Sequence, residues 1–368
     1  MSFSQNQELG CAINTGAQQS STMDLSIIIV NWNSKDFVRK CVKSIYANTT
    51  RITFEIIVVD GASYDGCGEM LAREFPEVRF IQCEKNVGFA RANNLGIAQS
   101  RGNCVLFLNP DTEVIGNAVG RLFEALNQFP DAGMTGARLL NSDRTVQTSC
   151  IQSFPAALNQ VLDAEFLRRV FPRSRLWGMM ALSSGAQTPS SVEVISGACI
   201  MIKRPVLQKL SGFDERYFMY AEDVDLCYRV QKAGFNCLYV PDTQIVHHGG
   251  GSSSLARSMF STVMLRESIF RFLRFHRGWI AAWRYRIAIG ISSLIRLPLI
   301  VVVNSATGKK IRSDGSFQKW IFILRWSIGL ESWAAKKSGD DKGMKPPAEK
   351  FQDPASTPGE RGTKQCAA

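Results

Sequence analysis

The chain has 368 residues, 45% of them hydrophobic, enough for one large or two ordinary cores and too apolar for a disordered protein. Its net charge of +11 is concentrated, because residues 257–337 hold fifteen Lys/Arg against three Asp/Glu and the rest of the chain is close to neutral. That basic block is also rich in Trp, Phe, Ile and Leu, a composition that points to an anionic membrane surface and away from nucleic acid.

Residues 1–22 are polar, with neither a basic n-region nor an apolar h-region, and are expected to form a disordered leader without a secretory signal. Residues 25–30 are a β-branched run ending in Asn31-Trp32-Asn33, which predicts a buried strand and a loop. A helix follows, capped by Ser34 or Asp36, with Val38, Cys41, Val42 and Ile45 as its apolar stripe. The second strand, 54–60, ends at Asp60 and a turn in which Asp65 is read as a helix cap. After a helix through Met70, Leu71 and Phe75 comes a weaker strand at 78–81, then a helix between Gly88 and Gly96 that carries the adjacent amides Asn93 and Asn94. Such amides cost helix propensity, so the position is expected to need them.

The run 105–108 is too apolar for a half-solvated strand, and Pro110 ends its ladder, leaving Asp111 at the carboxyl end. Another stripe, Val119, Leu122, Phe123 and Leu126, completes four βα units. These predict an α/β nucleotide-binding sheet, mostly parallel, with helices on both faces. From 132 to about 192 the periodicity fails, and the segment reads as an insertion or mobile loop beside the site. Strand pattern resumes over 192–203, a short helix follows at 205–210, and Glu222-Asp223 then opens a helix in which Asp225 and Arg229 can pair. Two short strands, 237–240 and 243–246, lead to His247-His248.

In the basic block, Leu265, Ile269, Phe272 and Leu273 fall in one helical sector, and Arg266, Arg271, Arg274 and Arg277 fall largely opposite. Residues 287–303 are apolar but contain Arg296 and Pro298, which favours an interfacial or re-entrant element over a clean span. The expected organisation is therefore a leader at 1–22, a catalytic unit at 23–254, a basic amphipathic helical extension at 255–337 and a disordered tail at 338–368. The ten cysteines show no CxxC or zinc spacing and read as reduced, buried small hydrophobes.

Asp60, Asp111 and His247 all lie at strand ends, where open α/β sheets bind ligands. Oxygen ligands with one imidazole suit Mg²⁺ or Mn²⁺, which neutralises a diphosphate leaving group. A hydroxyl nucleophile then needs a carboxylate base, and the Glu222-Asp223 pair supplies one. His247 is preferred to His248 because it directly follows the strand.

In this order the segments resemble the family-2 inverting glycosyltransferases of the GT-A fold, and more closely their rhamnosyltransferase-like members, over residues 25–254. The matching pieces are Val30-Asn31-Trp32-Asn33, the Asp60-Gly61-Ala-Ser63-Tyr-Asp65-Gly66 turn, Asn86-Val-Gly88-Phe-Ala-Arg91-Ala-Asn93-Asn94-Leu-Gly96 and Leu108-Asn109-Pro-Asp111. Further on they are Gly197-Ala198, Phe213-Asp214-Glu215, Glu222-Asp223-Val-Asp225 and the His247 turn. The resemblance implies donor contacts from Val30, Asn31, Trp32, Asp60, Arg91, Asn93, Asn109 and Asp111, an acceptor side at Gly197 and Glu222, and Asp223 as the base. It makes Asp111 the surviving carboxylate of the D-x-D metal motif, whose first position is Asn109, with His247 completing the metal site. It also implies a dTDP- or UDP-sugar donor, a glycan or lipid-linked saccharide acceptor, and work in cell-surface polysaccharide synthesis at the cytoplasmic face of the membrane, peripheral or monotopic. The processive Q-x-x-R-W motif is absent, so one sugar per encounter is expected. The remaining alternatives are a nucleotidyltransferase and a catalytically degenerate, membrane-associated nucleotide-sugar-binding protein. A dinucleotide oxidoreductase would need G-x-G-x-x-G where this chain has Asn-Trp-Asn-Ser.

Overall fold

The computed structural model describes residues 23–162, 165–183, 187–249, 259–307 and 315–337. The expected leader, the expected tail and the end of the histidine turn from Gly250 lie outside them. The β-branched runs form β1 (Leu25–Asn31), β2 (Phe54–Asp60), β3 (Arg79–Gln82) and β4 (Cys104–Leu108), a parallel unit in the order β3-β2-β1-β4. Parallel neighbours need crossovers, made by α1 (Lys35–Asn48), α2 (Cys67–Glu74) and α3 (Phe89–Gln99). Both faces are covered: Ile56 and Val58 of β2 enter the main core, whereas Ile57 and Val59 enter a smaller cluster with Ala92 of α3. Neither Ser34 nor Asp36 caps α1. Asp65 does so from the next loop, accepting from Lys35 N–H at 2.9 Å and from Cys67 N–H, the first residue of α2, at 3.1 Å. One carboxylate thus serves two helix starts.

The chain continues through β5 (Thr112–Ile115), α4 (Ala118–Gln128), β6 (Ala132–Leu140), β7 (Ile151–Gln152), the short helices α5 (Ala157–Val161), α6 (Glu165–Val170) and α7 (Met180–Ser183), and β8 (Ser190–Val192). After these come β9 (Val194–Ile195), β10 (Cys199–Lys203), α8 (Arg204–Lys209), α9 (Glu222–Lys232) and β11 (Asn236–His247). The sheet extends as β4-β10-β6-β11-β5, with β10 antiparallel to both neighbours and β11 parallel to β6 but antiparallel to β5 and β8. Its parallel character belongs to the first four strands and the β6–β11 pair.

Two expectations are corrected here, and one strand is new. Residues 132–140 are a buried central strand, not part of a loop. They are hard to recognise because Gly136 sits where a Cβ would lie 2.0 Å from Ile195 Cγ2, so smallness is what the packing demands. Residues 112–115 form an edge strand directly after the Asp111 turn. The segments 237–240 and 243–246 are one strand, with an irregularity between Val240 and Gln244.

All eight cysteines within the described residues are buried thiols. Burial pushes Cys41 up to about 12, which suits inert packing.

The C-terminal helices are α10 (Met259–Thr307), broken at Gly278 with φ 84°, α11 (Gly315–Ser327) and α12 (Trp333–Lys337). The segment before Gly278 is part of the main core through Val263, Met264, Phe272 and Leu273. Arg266 and Arg271, expected on its solvent side, are buried as well. Arg271 lies 3.5 Å from Glu267 and donates to the Ala335 carbonyl at 2.8 Å. The segment after Gly278 packs on α11 through Ala282, Tyr285, Ile289 and Trp326. Its other side exposes Ile280, Ile287, Ile291, Leu294, Ile295, Leu299, Val302 and Val303. Among the described residues, α10 is the one helix long and apolar enough to cross a membrane.

Candidate active site

The carboxyl ends of β1, β4 and β11 open into a cavity of about 460 Å³, lined there by Val30, Asn31, Trp32, Asn109, Asp111 and His247. Trp32 is 45% exposed at this rim and offers a flat face for a nucleobase. Asn31 is fully buried, and among the described residues no donor reaches its Oδ1. A buried acceptor left in this state is uncommon and singles out this stretch of the cavity wall.

Asp60 is only 1% exposed and stands behind that wall. Its Oδ1 accepts from Ser63 N–H and Gln82 Nε2 at 2.8 Å each, and its Oδ2 from Asn31 Nδ2 at 2.6 Å and Ser63 Oγ at 2.8 Å. With its lone pairs engaged, Asp60 orients Asn31 and the 61–66 turn in place of the direct donor contact expected of it. Asp60, Asp65 and Cys67 cluster closely enough to suggest a metal. Both carboxylates, however, are already taken by N–H donors, and burial pushes the Cys67 thiol up to about 12.

Asp111, 3% exposed, places Oδ1 3.4 Å from His247 Nε2. The imidazole is aimed by Gln147, whose Oε1 lies 3.0 Å from Nδ1 and whose Nε2 donates to the His247 carbonyl at 2.6 Å. With Nδ1 donating to Gln147, the Nε2 lone pair faces Asp111. Asn109 Nδ2 is 3.3 Å from the same nitrogen. A carboxylate oxygen beside an imidazole nitrogen is a donor set that Mg²⁺ or Mn²⁺ accepts, so the residues present fit the implied metal, which Asp111 and His247 would hold. His248 is directed elsewhere, toward Ser142 Oγ at 2.8 Å and Glu113 at 2.9 Å. Sequence reasoning passed over Gln147, which stands in the stretch taken for a loop.

The carboxylate pair opens α9 in the same cavity. Asp223 Oδ2 accepts from Gly197 N–H at 2.7 Å, and Oδ1 from Val224 N–H at 2.8 Å. Burial raises its pKa, with these N–H groups opposing the rise. Glu222 is pushed well above the carboxylate range by burial and then by the Asp223 charge, and its Oε2 has no partner among the described residues. Charge is therefore disfavoured more strongly on Glu222 than on Asp223, whose oxygens are met by N–H donors.

Tyr220 and Ala221 precede α9 with φ of 71° and 60°, a left-handed conformation that costs about 1 kcal/mol or more per residue. The strain persists because neighbours hold the loop. Phe89 N–H donates to the Phe218 carbonyl at 2.8 Å, and Ser268 Oγ donates to that of Met219 at 2.9 Å. Asn94 exchanges two bonds of 2.9 Å with the Phe213 backbone. Gly88 makes the approach possible, since its φ is +84° and a Cβ there would lie 2.4 Å from the Phe218 oxygen. The segment from Asn86 to Gly96 thus serves as a clamp for the loop that leads into Glu222 and Asp223.

Two residues expected to contact the donor do not line the cavity. Asn93 is buried and bonds back to the Phe89 carbonyl at 3.0 Å, and Arg91 pairs with Glu215 at 3.0 Å on the surface. Asp225, the expected partner of Arg229, is fully buried and also receives His276 Nε2 at 2.6 Å, which ties α9 to α10. Burial works against that carboxylate's charge, but the Arg229 and His276 partners outweigh it and hold its pKa low.

Gly197 sets the position of the Asp223 carboxylate, since a Cβ there would lie 3.1 Å from both Asp223 Cβ and Oδ2. Gly197→Ala is expected to lower kcat by about tenfold or more with little change in the KM for the donor, because misplacement of a reacting group by a fraction of an ångström is costly. Steady-state kinetics on a variant of unchanged Tm provides the check, and wild-type kcat would rule out this role for Gly197.

The cavity has a second wall, from α5 and α10, with Gln160, Leu265, Arg266 and Ile269. The helical wheel had turned Arg266 to solvent, so nothing in the sequence marked it. The model of the family "Glycosyl transferase family 2" matches residues 26–211, and that of "Glycosyl transferase family group 2" matches 130–328. The chain is 28% identical over 273 residues to the N-acetylglucosaminyl-diphospho-decaprenol L-rhamnosyltransferase of Mycobacterium tuberculosis, covering 71% of this chain and 86% of that protein. It is 22% identical to the rhamnosyltransferase WbbL of Escherichia coli, covering 67% and 91% of the two chains. The mannosyltransferase PcManGT from Pyrobaculum calidifontis, solved with GDP-Man and Mn²⁺, superposes with a TM-score of 0.50 at 16% identity, over 86% of this chain and 87% of its own. With half the chain matched by the family model and the strand-end cavity in place, the protein belongs to glycosyl transferase family 2.

Proposed function

We propose that this glycosyltransferase moves one sugar, rhamnose being the first to test, from a dTDP- or UDP-linked donor to a hydroxyl of a lipid-linked saccharide, with inversion, in cell-surface polysaccharide synthesis. The observation that carries this reading is the presence in one cavity of the Asp111–His247 pair and the carboxylate of Asp223. Asp223 takes the proton of the acceptor hydroxyl as its oxygen bonds to the anomeric carbon, and the bond from that carbon to the diphosphate breaks. Asn31 and Trp32 hold the nucleoside, with Val30 beside them, and Gly197 and Glu222 border the acceptor. Mg²⁺ or Mn²⁺, held by Asp111 and His247, supplies neutralising charge for the diphosphate that leaves. The name of the mycobacterial relative supports an acceptor carried on a lipid diphosphate. A panel of nucleoside diphospho-sugars offered with such an acceptor tests the reading. Transfer from none of them, or retention at the anomeric carbon by NMR, would overturn it.

The exposed apolar side of α10, with Arg277, Arg284, Lys336 and Lys337 also exposed, supports a peripheral or monotopic seat on the anionic cytoplasmic leaflet. Because α10 also supplies core and cavity residues, cutting the chain at residue 254 would remove a wall of the site, and substitutions test the seat better. The full chain is expected to float with anionic liposomes at low salt, and Ile291→Glu with Ile295→Glu to reduce that partition by about tenfold or more. Equal flotation of the two proteins would remove this face from the membrane contact.

A further inference from the structure

We infer that Arg266 is the phosphate-recognition residue for a diphosphate-bearing lipid acceptor, an inference that rests on the glycosyltransferase reading above. Arg266 is 9% exposed and lines the cavity beside Gln160, Leu265 and Ile269. Its hydrogen bond to Gln160 is long, from Nη1 to Oε1 at 3.4 Å, and its buried Nε has no acceptor among the described residues. The neighbouring Tyr285 hydroxyl interacts with the guanidinium, but a neutral phenol does not balance its charge. Five residues along the same helix, Arg271 is matched by Glu267 and the Ala335 carbonyl. A buried guanidinium without an anion is costly, and its planar fork suits two oxygens of a phosphate. The wall of the cavity is short of one anion.

The acceptor is the better source of that anion than the donor. Asp111 and His247 already define where the donor diphosphate is met. Arg266 belongs instead to the helix that carries the exposed apolar side, and α5 joins the two regions. Gln160 receives Arg266, and the carbonyl of the next residue, Val161, receives Arg296 Nη2 at 2.7 Å. Arg296 lies between the exposed Ile295 and Leu299. This arrangement fits a ligand with an anionic head in the cavity and a hydrocarbon tail along α10. The base is on the same side, since His276 of α10 bonds to Asp225 of α9 at 2.6 Å.

The test uses the full chain with Arg266→Met and Arg266→Lys, and compares a polyprenyl-diphosphate-linked sugar with the alkyl glycoside of the same sugar. Both variants are expected to raise KM for the diphosphate acceptor by about tenfold or more, since lysine keeps the charge but loses the fork. KM for the alkyl glycoside and for the donor is expected to stay within about threefold. A rise in donor KM would give Arg266 to the donor diphosphate, and an equal loss on both acceptors would make it structural; either result overturns the inference. In the wild-type protein, geranyl diphosphate is expected to compete with the acceptor and not with the donor. Competition with the donor, or no inhibition, overturns the inference without any variant having to fold. Calorimetric binding of geranyl diphosphate, lost in Arg266→Met, is read without turnover. A chain that binds it through Arg266 but transfers no sugar would overturn the reaction and leave the subsite standing.

Discussion

Replacing Asp223 by Asn is expected to lower kcat by about 10²-fold or more with donor KM little changed, whereas Glu222→Gln is expected to keep kcat within about tenfold of wild type. The two adjacent carboxyls differ in surroundings. Burial and the neighbouring charge push the Glu222 carboxyl well above its ordinary range, so an uncharged glutamine is close to an isostere. Asp223 must be ionised to accept a proton, and its pKa is raised by burial. Activity is therefore present above that raised value and lost as pH falls through it, so the acid limb of kcat is expected above the ordinary aspartate range. Profiles of kcat against pH for the wild type and Glu222→Gln check this. An active Asp223→Asn together with an inactive Glu222→Gln would transfer the base role to Glu222.

The second large effect is expected at Asp111. Asp111→Asn preserves shape at a buried position and keeps the backbone carbonyl that accepts from His248 N–H at 2.9 Å, so Tm is expected to change by only a few degrees. The charge that turns toward His247 is lost, and kcat is expected to fall by about 10²-fold or more, the scale of transition-state stabilisation by a bound cation. Chelation of the wild type is expected to abolish transfer, and added Mg²⁺ or Mn²⁺ to restore it. The variant should need a higher metal concentration for its residual rate. Full wild-type activity in excess chelator would remove the metal from the reaction.

Strands β1, β2 and β4 and the helix stripes were legible because each buries an apolar run or period: Val38, Cys41, Val42 and Ile45 of α1 are all buried as spaced. The strand β6 was not, because its Gly136 and Thr135 are selected for what they leave room for, not for apolar surface. Asp111, His247, Glu222 and Asp223 could be placed as strand-end and helix-start residues, and the structure brings them to one cavity. Asn93 and Arg91 belong to a recognisable motif, but a motif does not say where a side chain points: one bonds within its own helix and the other faces solvent. Arg266 was misplaced for a related reason. A helical wheel sorts residues into two sides, whereas this segment of α10 is covered on more than one, by α5, α9 and α12.

The bond from His276 to Asp225 makes the helix that begins with the base and the helix that carries the apolar side one mechanical piece. With α10 seated on a membrane, the height of Asp223 above the lipid headgroups becomes a fixed property of the folded chain. On the membrane seat proposed above, the protein would act as a ruler: it would reach a hydroxyl on the first sugars of a membrane-anchored glycan, and the same glycan grown longer would carry its new end out of range.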